Sequence, residues 1–341
     1  MPLDIAMAGA GVMGRLLAWQ LARAGHRVRV VDAASGPRDP AAAGFTAAGM
    51  LSPLAEREHA EPDIAELGWR SLTLWPQIAQ ALGRPELVRT SGSLLLAHGS
   101  DLGAAQRVLA RVQPDDGPAP QALDRAALRA LEPHLAPDLK AWQLPGEGQV
   151  LPRDMLAALA EDASGVDWRW GRRVARVQPN RLELDDGHVL DADLAIDTRG
   201  LGAQPDLPRL RGVRGEVVWL HAPGVVLQRP VRLMHPRHRV YLVPRPGDLI
   251  VVGASEVESE DRSPVSLRSA VELMAAAHSV LPGLAEARIV HLDTQLRPAL
   301  PDHRPVLHHE PGLLRINGLY RHGWLLAPAL AEKALSCLSS P

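Results

Sequence analysis

Cysteine, lysine and aromatic residues are scarce in this 341-residue sequence. The one cysteine, Cys337, excludes an intrachain disulfide and a zinc site built on several cysteines. Lys140 and Lys333 are the two lysines, so they are the two candidates for any lysine Schiff base. Aromatic residues make up 3% of the chain, which makes its two tyrosines, Tyr241 and Tyr320, easy to examine as functional groups.

Long apolar runs and a strong net charge are also missing. No run reaches the roughly 18 apolar residues that span a bilayer, and the N-terminus carries Asp4 instead of a basic leader segment. A formal net charge of −2 creates no field that would attract nucleic acid or an anionic membrane. We therefore expect a cytoplasmic protein with no nucleic-acid partner and no membrane insertion. The length favours two domains, or one large domain with a long insertion.

The N-terminal segment has the pattern of a dinucleotide-binding unit. A short apolar run at 3–8 predicts a buried strand, and Gly9, Gly11 and Gly14 follow in Gly-x-Gly-x-x-Gly spacing. A helical pattern comes next, and a second apolar strand ends at Asp32. In such units the glycines let backbone approach a diphosphate, and the acid accepts hydrogen bonds from ribose hydroxyls. The motif alone does not choose between NAD and FAD.

A second group of predicted strands favours a flavin. Residues 168–177 and 182–190 read as strands, and Asp186 with Gly187 predicts a hairpin turn. Residues 193–200 predict a further strand that ends in Thr-x-Gly. A chain that leaves its dinucleotide-binding unit and returns to it is typical of two-domain flavoproteins. A simple NAD dehydrogenase more often completes its parallel sheet without interruption.

Several short motifs, spread over nearly the whole chain, carry a family resemblance. They are Gly-Ala-Gly-Val-Met-Gly at 9–14, Thr-Ala-Ala-Gly-Met-Leu at 46–51, Ser-Gly-Ser-Leu-Leu-Leu at 91–96, Asp-Thr-Arg-Gly at 197–200, Val-Tyr-Leu-Val-Pro-Arg at 240–245, Leu-Arg-Pro-Ala-Leu-Pro-Asp at 296–302 and Gly-Leu-Tyr-Arg-His-Gly-Trp-Leu-Leu-Ala-Pro at 318–328. In order and spacing they resemble the glycine oxidase branch of the D-amino-acid-oxidase-like flavoproteins, the branch associated with thiamine biosynthesis.

The sequence departs from the family pattern at a few positions. His303 stands where the family usually has glycine, Leu319 where it often has histidine, and His322 where it often has asparagine. Residues 306–309 replace a more typical Ile-Gly-Pro segment. These positions lie near the flavin or the substrate in the family.

The resemblance implies an α/β fold with two domains. One is a Rossmann-type FAD-binding domain, and the other is an α+β substrate-binding domain with an antiparallel sheet. The FAD-binding domain would be discontinuous, with residues 1–80, 146–208 and 297–341. The substrate-binding domain would take residues 81–145 and 209–296.

The resemblance also implies FAD as a noncovalent cofactor, since Cys337 lies well past the motif around Gly323. A helix that starts at Gly323 would direct N–H groups at the flavin edge that becomes negative on reduction. No metal site is expected, because the histidines near 303–309 lack a carboxylate partner in register. The residues expected to bind FAD are Gly9, Ala10, Gly11, Val12, Met13, Gly14, Asp32, Ala33, Thr46, Ala47, Gly49, Met50, Val174, Thr198, Gly200, His322, Gly323, Trp324, Leu325 and Leu326.

Oxidation of an amino acid at Cα requires a bound carboxylate and a neutral amine. A guanidinium is the best carboxylate anchor because it pairs through two parallel hydrogen bonds. Arg297 in the Leu-Arg-Pro motif is the candidate anchor, Tyr241 a hydroxyl donor to the same carboxylate, and Arg321 a second positive group. If the amine enters deprotonated, positioning supplies most of the rate and no dedicated base is required.

The reaction implied by the resemblance is oxidation of glycine, sarcosine or a small D-amino acid to an imine. Oxygen would reoxidise the flavin to give hydrogen peroxide, and the imine would hydrolyse or pass to a thiazole synthase. Three alternatives stay open. They are a flavin dehydrogenase with a quinone or carrier-protein acceptor, an NAD-dependent dehydrogenase without flavin, and a flavin-binding protein without turnover. A homo-oligomeric state is also left open.

Overall fold

Two large β-sheets of different kinds carry the fold. A computed structural model describes residues 1–56, 62–112, 117–234 and 239–339. One sheet has six strands and is mostly parallel, and the other has eight strands and is mostly antiparallel. Two three-stranded sheets accompany them. Within the described ranges no helix combines the length and apolar character that crossing a membrane requires.

The strands and helices have the following bounds. The strands are β1 Asp4–Ala8, β2 Arg27–Asp32, β3 Met50–Leu51, β4 Val88–Arg89, β5 Ser93–Ala97, β6 Gln121–Leu123, β7 Lys140–Leu144, β8 Gly148–Val150, β9 Val166–Trp170, β10 Val174–Gln178, β11 Arg181–Leu184, β12 Val189–Asp191, β13 Leu194–Asp197, β14 Arg211–His221, β15 Val231–Met234, β16 Arg239–Arg245, β17 Leu249–Gly253, β18 Arg288–Ala299, β19 Val306–Glu310 and β20 Leu313–Asn317. The helices are α1 Val12–Arg23, α2 Ala43–Thr46, α3 Pro53–Glu56, α4 Pro62–Ala81, α5 Leu102–Leu109, α6 Arg125–Leu131, α7 Pro152–Asp162, α8 Leu267–Val280 and α9 Gly323–Ser339.

The six-stranded sheet has the order β19-β20-β13-β1-β2-β9. Its strands are parallel from β20 to β9, and β19 closes one edge in the antiparallel direction. Apolar side chains of α1, α7 and α9 pack with one face, and the small sheet β10-β11-β12 covers the other. Because both faces are buried, β1 is almost continuously apolar. The predicted strand–helix–strand unit and the hairpin around Asp186 are confirmed.

The eight-stranded sheet has the order β18-β14-β17-β16-β15-β5-β7-β6. Every neighbouring pair is antiparallel except β5 and β15, which run parallel. The expected antiparallel sheet is therefore correct apart from this pair. Parallel neighbours need a long crossover, and the chain between β5 and β15 supplies it by passing through the six-stranded sheet. Apolar side chains of α8 pack with this sheet.

The chain passes between the two large sheets several times. It enters the eight-stranded sheet at β5, returns to the six-stranded sheet at β9, and enters the eight-stranded sheet again at β14. The chain returns to the six-stranded sheet for the last time after Ala299, because β18 extends to that residue. The sequence predicted that the last segment of the FAD-binding domain begins at residue 297, which lies within β18. Taking the sheets as domain cores, we propose the discontinuous division given above with this last boundary moved beyond Ala299.

The turn between β1 and α1 is packed with almost no free space. Gly9 has φ +102°, and a Cβ there would lie 2.6 Å from the carbonyl oxygen of Thr198. A Cβ on Gly14 would lie 1.9 Å from the carbonyl oxygen of Gly9. The Thr198 hydroxyl donates to the carbonyls of Ala8 and Gly9 at 3.1 and 3.0 Å. By contrast, a Cβ on Gly11 would meet no atom within 4 Å.

These contacts predict different effects for two alanine substitutions in one motif. Gly14→Ala should lower the free energy of unfolding by about 3 kcal/mol, because the added methyl group forces α1 away from the turn. Gly11→Ala should leave the stability of the apoprotein nearly unchanged and should weaken FAD binding, because its methyl group would occupy open space. Urea unfolding and FAD titration of both variants measure the two effects. Equal losses of stability would contradict the packing described here.

Candidate active site

A cavity of about 1720 Å³ lies between the two large sheets. Ligand cavities usually measure about 300–1,000 Å³, so this one has room for a dinucleotide together with a small substrate. Its walls come from the β1–α1 turn, the segment 39–50, the start of α9, and strands β14, β16 and β18. Both large sheets therefore contribute to one site.

Most of the residues predicted from the sequence line this cavity. The three predicted substrate contacts, Arg297, Tyr241 and Arg321, lie on its wall. The cavity does not reach Ala10 or Leu326, which face the core, or Gly14, which packs on Gly9. The FAD candidates on the wall are Gly9, Gly11, Val12, Met13, Asp32, Ala33, Thr46, Ala47, Gly49, Met50, Val174, Thr198, Gly200, His322, Gly323, Trp324 and Leu325. Their individual roles remain predictions.

The end of the cavity near β1 fits the diphosphate and ribose of FAD. The open space beside Gly11 allows phosphate oxygens to approach the backbone at the start of α1, where the helix dipole is positive. Asp32 accepts hydrogen bonds from the N–H groups of Ala10 and Ala34 at 2.5 and 2.7 Å. A carboxylate has further lone pairs, so Asp32 can also accept from ribose hydroxyls.

The start of α9 forms a second polar wall of the cavity. Within the described residues, no acidic side chain occupies the first turn of α9, so its N–H groups present positive charge to the cavity. Trp324 fixes this turn, because its indole N–H donates to the Gly44 carbonyl at 3.1 Å and its own carbonyl accepts from Trp75 at 2.8 Å. This arrangement fits the flavin edge that gains negative charge on reduction.

Arg297 is a cation without a carboxylate partner on this wall. It lies on β18, and its guanidinium donates to the Ser255 carbonyl at 3.2 Å from both terminal nitrogens. Among the described residues no acidic oxygen lies within ion-pair distance of it. A Cβ on Gly215 of the neighbouring strand β14 would lie 2.3 Å from this guanidinium. The absence of a side chain at Gly215 therefore makes room for Arg297.

Tyr241 reaches the same wall from β16. Its register partner on β17 is Gly253, where a Cβ would lie 2.5 Å from the phenol oxygen. Burial raises the pKa of Tyr241, although Arg297 and two further arginines oppose the shift. The phenol is therefore protonated at neutral pH and able to donate a hydrogen bond to an anion.

The environment of Arg321 differs from that of Arg297. Its guanidinium lies 2.9 Å from a Glu56 oxygen and 3.4 Å from a Glu256 oxygen. Arg232 on β15 approaches Glu56 at 3.9 Å. Burial opposes ionisation of Glu56, but Arg321, His322 and Arg232 together lower its pKa to about 2. The two arginines and two glutamates of this network carry equal and opposite charges, so Arg321 is an ion-paired residue.

His322 is buried within this network. Its side chain is 4% exposed, and Nδ1 lies 3.5 Å from a Glu56 oxygen. Burial lowers the pKa of His322 to about 4, against the attraction of Glu56. The ring is therefore neutral at pH 7. Next to it, His303 has φ +56° and stacks on Tyr320 with ring centroids 4.5 Å apart. Glycine adopts this left-handed backbone conformation more readily than histidine does.

Sequence reasoning missed two members of this network, Glu56 and Arg232. Glu56 is followed by further charged residues, a pattern that favours a solvated helix end. Arg232 is one of 35 arginines and alternates with apolar residues in a short strand. The sequence does indicate a special role for Arg232, because a charged residue within the apolar segment Val231–Met234 is unusual for a buried strand.

Cys337 and the neighbouring histidines His308 and His309 lie outside the main cavity. Cys337 lies in α9 and borders a separate surface pocket, away from the main cavity. His308 and His309 lie on the edge strand β19. Within the described ranges, no three histidine, cysteine or acidic side chains lie close enough to hold a metal ion.

Comparison with known proteins agrees with a cavity that is suited to FAD. A family model described as DAO, FAD-dependent oxidoreductase, matches residues 4–335. A thiamine biosynthesis oxidoreductase, ThiO, of Rhizobium etli is 40% identical over 334 residues, which cover 96% of this chain and 94% of the relative. The bifunctional protein ThiO/ThiG of Trichormus variabilis is 28% identical over 349 residues, covering 97% of this chain and 52% of that protein.

The superposition with a solved structure agrees with the family match. The crystal structure of glycine oxidase from Geobacillus kaustophilus superposes with a TM-score of 0.84 at 27% identity and covers 97% of this chain and 93% of that one. The expected α/β fold with a Rossmann-type FAD-binding part and an antiparallel sheet is therefore confirmed. The family match also shows that the cofactor is FAD, so the NAD-dependent dehydrogenase is no longer an alternative.

The buried imidazole predicts a pH dependence of stability. Because the pKa of His322 is about 4 in the folded chain and about 6.5 in the unfolded chain, the unfolded chain binds a proton at this site first as the pH falls. His322 should therefore cost up to about 3 kcal/mol of stability as the pH drops from 6.5 to 4. His322→Asn should flatten this slope, which urea unfolding at several pH values measures.

His309→Asn is the matched control, because His309 is exposed on β19. It should leave the slope of stability against pH unchanged. If His322→Asn and His309→Asn give the same slope as the original chain, His322 is not the group that titrates.

Proposed function

This chain belongs to the DAO family of FAD-dependent oxidoreductases, and on that basis we propose that it oxidises glycine or another small amino acid at the bond between Cα and nitrogen. One observation carries the proposal. Arg297, a cation without a carboxylate partner among the described residues, lies in the same cavity as the dinucleotide-binding turn and next to Tyr241. A small anion that carries an oxidisable C–H bond is the ligand that suits this arrangement.

The side chains of the cavity wall would bind and orient the substrate. The Arg297 guanidinium pairs with the substrate carboxylate, and the Tyr241 phenol donates a further hydrogen bond to it. Arg321 stays a candidate for a second contact, although Glu56 and Glu256 already neutralise much of its charge. When bound, FAD accepts a hydride from the substrate Cα. The β1–α1 turn and Asp32 would hold its diphosphate and ribose, and the start of α9 would hold the flavin edge.

Positioning is the main contribution that these residues make. A carboxylate fixed by two groups leaves Cα little rotational freedom, which lowers the entropic part of the barrier. The amine has to be neutral when the C–H bond breaks, and a substrate that enters deprotonated meets this condition without a base.

The names of the relatives support the substrate class and the product that we propose. Glycine is the substrate named for the structure from Geobacillus kaustophilus. Thiamine biosynthesis is named for the relative from Rhizobium etli, and the ThiO/ThiG protein joins two activities in one chain. We therefore propose that the imine is passed to a thiazole synthase or hydrolysed, and that oxygen is the electron acceptor and yields hydrogen peroxide.

An anaerobic titration of the purified protein tests the substrate. Glycine should bleach the visible absorption of the bound flavin, and oxygen consumption with release of hydrogen peroxide should follow when air is admitted. Bleaching by sarcosine or D-alanine but not by glycine would move the assignment to those substrates. Bleaching without oxygen consumption would support the dehydrogenase with another acceptor. A flavin that none of these compounds reduces would contradict amine oxidation.

Substitution of Arg297 tests the anchor. Arg297→Met should raise the glycine concentration needed for half-maximal reduction by about 100-fold, because two charge-assisted hydrogen bonds to the carboxylate are lost. Arg288→Met on the same strand is the control, since Arg288 is exposed and distant from the cavity wall. An unchanged value for Arg297→Met, together with a large rise for Arg321→Met, would assign the anchor to Arg321 instead.

A further inference from the structure

A buried arginine lies directly behind the dinucleotide-binding turn. Arg15 follows Gly14 in the first part of α1, and its residue exposure is 1%. It does not line the main cavity, so it does not touch a ligand there. A guanidinium seldom becomes fully buried, because the loss of hydration is costly unless partners replace the water. The contacts of Arg15 therefore have to account for its position.

Arg15 donates hydrogen bonds to three backbone carbonyls from separate segments. Nε donates to Ala10 at 2.7 Å, and Nη1 donates to Pro37 at 2.7 Å and to Leu156 at 2.8 Å. Ala10 belongs to the β1–α1 turn, Pro37 to the segment after β2, and Leu156 to α7. One side chain thus connects three parts of the fold that are distant in sequence.

Two aromatic rings complete the environment. The guanidinium carbon lies 5.6 Å from the ring centre of Phe45 and 5.3 Å from that of Trp170. Among the described residues, no carboxylate lies within ion-pair distance of Arg15. Burial lowers the pKa of Arg15 to about 10 and Asp32 opposes this, so the group is a cation at neutral pH. Neutral backbone carbonyls and the faces of two aromatic rings stabilise its charge.

Arg15 and Asp32 hold one residue of the turn from both sides. The N–H group of Ala10 donates to Asp32, and the carbonyl of Ala10 accepts from Arg15. Ala10 lies between Gly9 and Gly11, which both border the cavity. The two contacts together fix the direction in which the backbone of this turn faces the cavity.

The other contacts of Arg15 extend to the neighbouring wall. Asp39, residues 41–44 and Thr46 border the cavity, and Pro37 and Phe45 belong to the same stretch of chain. Through the Pro37 carbonyl and the Phe45 ring, Arg15 connects this stretch to α7 and to the turn. Two adjacent walls of the cavity therefore share one buried support.

We propose that Arg15 is a positioning residue for FAD, which holds the turn at Gly9–Gly11 and the segment 37–46 in the arrangement that binds the cofactor. The proposal rests on FAD as the cofactor and not on the substrate proposed above. Because Arg15 acts through the backbone, its loss should change the affinity for FAD in protein that is still folded.

The test compares FAD binding by apoprotein variants. Arg15→Met removes the charge and all three hydrogen bonds, and Arg15→Lys keeps the charge without the forked geometry. Arg23→Met is the control, because Arg23 lies on the same helix, faces Trp19 at 5.0 Å and is largely exposed. The Kd is measured by quenching of FAD fluorescence, at a temperature where circular dichroism shows each apoprotein to be folded.

Arg15→Met should raise the Kd for FAD about tenfold or more, and Arg15→Lys about threefold. Arg23→Met should stay within about twofold of the original chain. If Arg15→Met lowers only the melting temperature and leaves the Kd within about twofold, Arg15 is a structural residue alone and the proposal is overturned. If Arg15→Met does not fold, Arg15→Lys decides, and an unchanged Kd for that variant overturns the proposal.

Discussion

The close approach of α1 to the end of β1 is the constraint on which the site depends. Glycine at position 14 lets the helix lie against the Gly9 carbonyl, and Thr198 at the end of β13 supports the same turn from the other side. Only with this spacing does the positive end of α1 point into the cavity, with Asp32 beside it. The start of α9 then reaches the same cavity because β20, which precedes it, pairs with β13.

The side of the cavity lined by the eight-stranded sheet depends on strand register in a comparable way. Arg297 and Tyr241 come from strands of the eight-stranded sheet, and each has a glycine beside it where a side chain would collide. Gly215 leaves space for the guanidinium, and Gly253 leaves space for the phenol. A shift of one residue in either pairing would replace the glycine by a larger residue and close the space. Small residues on one strand thus decide where the large polar groups of the next strand can lie.

The sequence predicted the parts of this protein that depend on local patterns. The first 32 residues follow directly from glycine spacing and apolar periodicity, since each element there contacts its neighbour in the chain. Arg297 and Tyr241 could be selected only through the family resemblance, because neither differs locally from other arginines or tyrosines in strands. Glu56 and Arg15 were missed, since their burial results from segments far away in the chain. The parallel pairing of β5 with β15 was missed for the same reason.

The order of the strands also has a consequence for how the protein is made. β1 lies between β2 and β13, so its pairing is complete only after residues 194–197 are available, and β20 with α9 follows at residues 313–339. During synthesis the dinucleotide-binding turn therefore leaves the ribosome well before β13, β20 and α9, the elements that complete its surroundings. The walls of the FAD site are therefore complete only after α9 has emerged, long after the turn at Gly9–Gly14 has left the ribosome.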